Sequence, residues 1–297
     1  LRAVPPPISI SLVNTAPSEI RAAASHLAEH GYCVCRGGLQ QEIITKARQE
    51  ARMLYERRAF TPGSFTVQGQ TVAGTNSLHR DDHILWLHKH LGASGGDAAA
   101  AAVPTLAALD GALHRFGMRT IGELARLAEA CPGGDGAHDD DARAATSTRF
   151  ARFDDGHALH CTGRSDLMVS CYDGSAAAYG PHIDSVDGDG RAETPGDHGR
   201  CFTCIYYLNA SWREERGGGA LRLFMPPPSD DADADTSRVP NEAVDVYPHA
   251  DTLVLFRADR LVHEVRPTHD PRMAASIWFY GGSAEQRRKA VARGAVQ

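Results

Sequence analysis

No apolar run in this 297-residue chain approaches the ~20 residues that a membrane-spanning helix requires. The nearest candidate, the alanine-rich stretch 98–109, is too short and is bounded by Asp97 and Asp110. Positive charge is not in excess either. Lys and Arg total 31 against 37 Asp and Glu, a formal net charge of -6, which offers no electrostatic footprint for a nucleic acid. The one basic cluster, Arg287, Arg288, Lys289 and Arg293, reads as a solvated helix face. Cysteine is too sparse for a secreted disulfide scaffold, at seven residues, an odd number. The expected compartment is therefore reducing: the cytoplasm, with the nucleus as a second site. Neither nucleic acid nor membrane is expected as a partner, and the oligomeric state is not legible. The first residue is Leu, so the chain reads as a fragment or processed form, and a targeting segment cannot be judged from it. No fixed-period repeat is present.

What is there begins with a proline-rich segment, 1–17, expected to be extended. Ser18 reads as the N-cap of a helix running to His30 and ended by Gly31. Residues 32–36 (YCVCR) read as a strand. A second helix is expected over 40–58, where Ile43, Ile44, Ala47, Ala51 and Leu54 form one stripe at helical spacing. After a Gly- and polar-rich loop, 83–87 (HILWL) reads as a strand, followed by two helical patterns at 104–117 and 121–130. Residues 131–147 are rich in breakers and read as a flexible insert.

From Arg149 the character changes. Short β-type runs follow at 149–153, 166–172, 201–208, 220–224, 244–247, 252–256, 262–266 and 273–280, punctuated by Gly, Pro and Asp. This pattern predicts an antiparallel sandwich or jelly roll. The acidic segment 226–242 reads as a solvated loop, with a calcium site as the weaker alternative. A terminal helix is expected over 283–297. The organisation is thus mainly β with N-terminal helices (α+β). Residues 18–297 form one domain, with helical support and first strands at 18–130 and the β core at 148–282.

The chemistry lies in histidine and aspartate. Two His and one carboxylate on one face of an octahedron mark non-haem Fe(II) sites, because the other face stays open. An H-x-D pair suits this, since side chains two apart on an extended strand project the same way. Four such pairs occur: His79–Asp81, His138–Asp140, His182–Asp184 and His249–Asp251. The second lies in the breaker-rich insert. The fourth sits in a turn only fourteen residues before His263, and the first lies ahead of the β region. His182–Asp184 ends an extended run and is followed by several strands, so it is the candidate pair. His263, in RLVHEVRP, is the candidate third ligand. Nine residues on, Arg272 opens the final strand and offers a planar fork matched to a carboxylate.

These residues carry a resemblance. MVSCYDG (168–174), YGPHID (179–184), GRCFTCIYYLNASW (199–212), GGALRLF (218–224), VLFRADRLVHEVRP (254–267) and RMAASIWFY (272–280) resemble the oxygen-sensing prolyl 4-hydroxylases that act on the hypoxia-inducible factor. They also resemble the protist relatives that hydroxylate a Skp-type adaptor of ubiquitin ligases. HRDDHILWL (79–87) is similar to the family's loop leading into a core strand.

The resemblance implies a double-stranded β-helix (jelly roll, cupin-like) of the 2-oxoglutarate oxygenase type. It implies Fe(II), 2-oxoglutarate and O2, with ascorbate as an accessory reductant, and hydroxylation of a prolyl ring carbon coupled to release of succinate and CO2. It makes His182, Asp184 and His263 the catalytic metal ligands and Arg272 the cosubstrate anchor. Tyr207 is then expected beside Arg272, Tyr172 along the cosubstrate pocket, and Ser276 and Trp278 near the metal-bound water and substrate face. Asp82 and Arg200 match an acidic and a basic residue at the substrate entrance, expected to pair; Arg191 competes with Arg200 for that match. The chain departs from the family at Pro181, at the long loop 185–200, and at Asp81-Asp82-His83, where a Lys is missing. These departures bear on the protein partner, not on the iron.

The expected partner is a protein carrying a target proline. A Skp-type adaptor is favoured by the Ala/Asp-rich inserts, over a hypoxia factor or a ribosomal protein. A nucleic-acid demethylating oxygenase of the same fold is disfavoured by charge. A secreted collagen-type hydroxylase is disfavoured by Arg272, since that branch commonly anchors the cosubstrate with Lys. A non-enzymatic module is disfavoured by the intact His182, Asp184, His263 and Arg272. Cys201 and Cys204, three apart on a strand, are expected on opposite faces as packed cysteines. Cys33 and Cys35 face one way and pose a question of oxidation.

Overall fold

The computed structural model describes residues 1–67, 70–73, 80–87, 102–130, 150–151, 160–184, 197–226 and 242–282. The inserts around 131–147 and 227–241, the loop 185–196, the segment 283–297, and His79, His138 and Arg191 lie outside the described residues.

Strand β1 (Ile8–Ser9) opens the chain and pairs in parallel with β2 (Tyr32–Arg36). Helix α1 (Pro17–His30) lies between them. Its cap is Ala16, not Ser18. Pro17 pre-sets the first turn, and the Glu19 carboxylate accepts the Ala16 N–H at 2.6 Å. Helix α2 (Gln41–Glu56) buries Ile44, Ala47, Ala51 and Leu54 of the expected stripe, whereas Ile43, the residue beside Ile44, turns to solvent. The expected loop before residue 83 instead holds β3 (Thr61–Pro62) and a hairpin, β4 (Ser64–Val67) with β5 (Gln70–Ala73). Strand β6 (His83–Trp86) follows.

The two helices expected over 104–130 are one, α3 (Pro104–Ala130). Gly117 does not break it. A Cβ there would lie 2.1 Å from the Phe279 ring, so glycine lets the helix press onto the sheet.

The remaining elements are β7 (His160–Arg164), β8 (Met168–Tyr172), β9 (Ala177–His182), β10 (Asp197–Tyr207), the short α4 (Glu214–Gly217), β11 (Leu221–Phe224), β12 (Ala243–Val246), β13 (Thr252–Arg257), β14 (His263–Thr268) and β15 (Arg272–Gly282). Residues 197–200 therefore belong to a strand rather than to the long loop. Among the described residues the major sheet runs β1-β2-β13-β10-β15-β8-β6-β3, with β7 also on β15. The minor sheet runs β12-β11-β14-β9. This is the double-stranded β-helix.

Side-chain alternation divides the major sheet. Leu253, Leu255, Met273, Ala275, Ile277 and Phe279 pack with Leu27, Ala47, Leu113 and Phe116 of the helices. Val254, Phe256, Ala274 and Tyr207 point the other way and pack with Leu221, Leu223 and Val244 of the minor sheet. Arg272, Ser276 and Trp278 alternate with the helix-facing residues of β15, so the β-sandwich interior is where they project. Cys201 and Cys204 both join the helix-facing core. A register shift between Arg200 and Phe202 breaks the strict alternation expected for them. The six described cysteines are buried, and no disulfide joins any two of them. No helix among the described residues is long and apolar enough to cross a membrane.

Candidate active site

Antiparallel pairing of β9 with β14 sets His182 directly opposite His263. Their ring centroids are 4.2 Å apart. Asp184 follows β9 by two residues, and its carboxylate oxygens lie 3.6 Å from each Nε2: Oδ1 from His182 and Oδ2 from His263. Candidate ligand atoms of the three residues all lie within 4.8 Å of one another. Each imidazole turns its Nδ1 to the carbonyl two residues back, Gly180 at 2.8 Å and Leu261 at 3.0 Å. A carbonyl only accepts, so each Nδ1 carries the proton and each Nε2 presents a lone pair to the centre.

Electrostatics agree. Burial, together with the facing His182, pushes the His263 imidazole down to about 4, so it is neutral near pH 7. Burial opposes ionisation of Asp184. The His263 and His182 rings and the Thr203 hydroxyl outweigh it and hold the carboxyl well below the usual carboxylate range. A lone-pair nitrogen from each imidazole and one carboxylate, brought within reach of a common point, fit Fe(II). Elsewhere among the described residues no comparable His/Cys/Asp/Glu group occurs.

The His249–Asp251 pair does something else. His249 meets Glu214 at 2.9 Å, and Asp251 accepts the Gly38 N–H at 2.8 Å and the Tyr206 hydroxyl at 2.7 Å. It clamps a turn.

Arg272 is 2 % exposed and donates from Nε to the Gly219 carbonyl at 3.0 Å. Its guanidinium sits 5.0 Å from the Tyr207 ring centroid and 5.1 Å from that of Tyr172, with the Tyr207 hydroxyl 3.4 Å from NH2. Burial pushes both phenols up, so both remain donors. The other fully buried guanidinium, Arg257, is matched by Asp259 through paired contacts of 2.7 and 2.6 Å. Among the described residues no carboxylate answers Arg272. A buried cation without a counter-charge is costly, so this pocket is built for an anion.

Ser276 and Trp278 are buried on β15, and Trp278 Nε1 donates to Asp184 Oδ2 at 2.8 Å. The expected Asp82–Arg200 pair does not form. Asp82, 1 % exposed, is held by Arg80 two residues away, while Arg200 lies over the Trp278 ring at 4.7 Å. Proximity in sequence, fixed by the turn before β6, wins over the longer reach to β10.

Sequence reasoning missed Thr203, Tyr179, Arg80 and the apolar wall of Ile84, Trp86 and Met168 packed beside Trp278. Thr203 lies four residues before Tyr207 on the same face of β10, a signal that alternation alone carries. The wall depends on the β6–β8 register, Trp86 opposite Met168, which no local pattern reveals.

Residues 167–280 match the model of the 2OG-Fe(II) oxygenase superfamily. Egl nine homolog 1 of Homo sapiens is 27 % identical over 262 residues, which cover 88 % of this chain and 46 % of that protein. Prolyl hydroxylase EGLN3 of Homo sapiens is 38 % identical over 128 residues, 43 % of this chain and 44 % of that one. The chain spans about half the length of the curated relatives it matches. A solved Trichoplax adhaerens prolyl hydroxylase, in complex with a hypoxia-inducible-factor peptide fragment, superposes with a TM-score of 0.58 at 24 % identity, covering 92 % of this chain and 94 % of that one. That likeness supports the fold.

Proposed function

We propose that this chain, whose residues 167–280 are a 2OG-Fe(II) oxygenase domain, hydroxylates a prolyl residue of a protein substrate at ring carbon 4. The observation that carries the cosubstrate half is Arg272, buried beside Tyr207 and Tyr172 with no carboxylate partner among the described residues. A dicarboxylate cosubstrate would supply the missing charge, with the guanidinium fork and the Tyr207 hydroxyl as the groups that would receive a carboxylate.

His182 and His263 would hold Fe(II) through Nε2, and Asp184 would offset part of its charge. Bound iron, with 2-oxoglutarate and O2, supplies the oxidising chemistry, and ascorbate serves as an accessory reductant. Trp86, Met168, Ile84 and Trp278 form the apolar wall that receives a pyrrolidine ring and excludes water. Arg200, stacked on Trp278, borders that wall, and the Arg80–Asp82 pair covers Tyr179 beside His182; these are the candidate contacts for the substrate backbone.

For the substrate protein, a hypoxia-factor-type sequence is the first reading. A Caenorhabditis elegans relative, 27 % identical over 296 residues, carries the name hypoxia-inducible factor prolyl hydroxylase. A Skp-type adaptor is the second, resting on the Ala/Asp-rich inserts. The compartment is proposed as cytoplasmic or nuclear.

Incubation with Fe(II), 2-oxoglutarate and proline peptides of both kinds, read by mass spectrometry, tests this. One added oxygen on proline is expected, with stoichiometric succinate, and both are lost in Asp184→Ala. Succinate without a modified prolyl residue in any peptide would keep the oxygenase and remove the prolyl substrate.

A further inference from the structure

We propose that Thr203 and Trp278 are positioning residues that tie back one oxygen of Asp184, so that the carboxylate meets the metal through the other oxygen alone. This rests on the iron-site reading above. Thr203 Oγ1 donates at 2.6 Å and Trp278 Nε1 at 2.8 Å, and both bonds go to Oδ2. Oδ1 takes neither; each oxygen lies 3.6 Å from one imidazole Nε2, Oδ1 from His182 and Oδ2 from His263, so the two hydrogen bonds are what distinguish them. An oxygen already accepting two hydrogen bonds has little lone-pair capacity left, so Oδ1 is the ligand atom.

The consequence is the coordination number. A carboxylate free to rotate can chelate with both oxygens and fill a position. Held at Oδ2, Asp184 contributes one, and three protein ligands leave the rest of an octahedron for cosubstrate and dioxygen.

The clamp is built into the sheet. Thr203 and Trp278 are cross-strand neighbours on β10 and β15, whereas Asp184 follows a strand of the minor sheet. The two donors therefore pin a ligand across the interior. The indole is itself fixed. The backbone that carries it is held by Ser165: the Trp278 backbone N–H donates to Ser165 Oγ at 3.0 Å, and the Ser165 backbone N–H donates to the Trp278 carbonyl at 2.8 Å. Arg200 covers one part of the indole, and Trp86 packs against it with centroids 5.6 Å apart. One side chain thus serves both the substrate wall and the metal carboxylate.

Metal binding alone reads the proposal. Mn(II) is titrated into the protein and the free ion followed by its paramagnetic resonance signal, alongside the visible spectrum of the Co(II)-loaded form. Thr203→Val and Trp278→Phe are each expected to weaken Mn(II) binding about 10-fold and to shift the Co(II) bands. Thr203→Ser, which restores the donor, is expected to return both to wild-type values, a rescue that a purely structural role would not predict. Wild-type affinity and an unshifted Co(II) spectrum in Thr203→Val would overturn the clamp, whether or not Trp278→Phe folds. If wild-type protein binds no Mn(II), or Asp184→Ala binds it equally well, the iron-site reading itself falls.

Discussion

The Tyr179 ring lies flat on the His182 imidazole, with centroids 3.8 Å apart and planes 14° from parallel. Arg80 covers the Tyr179 ring from 4.7 Å, and Asp82 holds Arg80. The loop before β6 thereby reaches the His182 ring through Tyr179. Tyr179→Leu keeps an apolar body and removes the plate. Metal affinity is expected to fall roughly 2- to 10-fold, the worth of an aromatic contact. Mn(II) titration checks this, and unchanged affinity would show that the Nδ1 bond to Gly180 alone orients the imidazole.

Asp82 is the buried half of an ion pair whose other half, Arg80, is also largely enclosed. Removing Asp82 takes a buried carboxylate away from a largely enclosed guanidinium. Asp82→Ala is expected to cost on the order of 3 kcal/mol of stability. Denaturant unfolding measures it; a loss below 1 kcal/mol would show that the Arg80 charge does not depend on Asp82.

Arg272→Lys substitutes a point cation for a planar fork and abandons the Gly219 carbonyl. The apparent KM for 2-oxoglutarate is expected to rise about 10- to 100-fold, from the roughly 1.5–3 kcal/mol of a charged hydrogen bond. Mn(II) affinity should stay near wild type, because no metal ligand changes. A metal defect without a cosubstrate defect would contradict the assignment.

Gly219 has φ +66°, and a Cβ there would meet Thr268 Oγ1 at 2.9 Å and Arg272 Cδ at 3.2 Å. Gly219→Ala is expected to cost about 1–2 kcal/mol from the left-handed backbone alone. It should also raise the KM for 2-oxoglutarate by displacing the Arg272 stem. Thermal unfolding and cosubstrate titration separate the two effects.

Acid should destabilise the metal-free protein. His263 is held near pKa 4 in the fold, against 6.5 when unfolded. Between those values the unfolded chain binds the extra proton, so stability falls as pH drops from 6.5 to 4 and then levels for this group. The full excursion is roughly 3 kcal/mol. Asp184, depressed in the fold, acts in the same direction below its ordinary range. Chelator-treated protein melted across this window should show the loss, and His263→Gln should flatten it.

Much of the site was legible in the sequence because its chemistry demands particular residue types. Four H-x-D pairs competed, and strand context separated His182–Asp184 from the rest. Arg272 was legible as a lone basic residue opening a strand of small and apolar side chains. Other features were not. Gly117 reads as a helix stop until Phe279 is known to occupy the place of its missing Cβ. Ser18 reads as a cap until Glu19 is seen to take the Ala16 N–H. Asp82 has two basic candidates, and only the turn geometry assigns it to Arg80.

By itself the sequence determined which residue types could meet at a metal, which arginine opens the last strand, and the alternation that sends Arg272, Ser276 and Trp278 inward. Those follow from side-chain chemistry and the two-residue period of a strand. Only the tertiary structure decided that His263 faces His182, that Trp86 joins Met168 and Trp278, and that Thr203 and Trp278 converge on one oxygen of Asp184. Cross-strand register and the meeting of two sheets join residues tens of positions apart, and no local pattern of spacing encodes them.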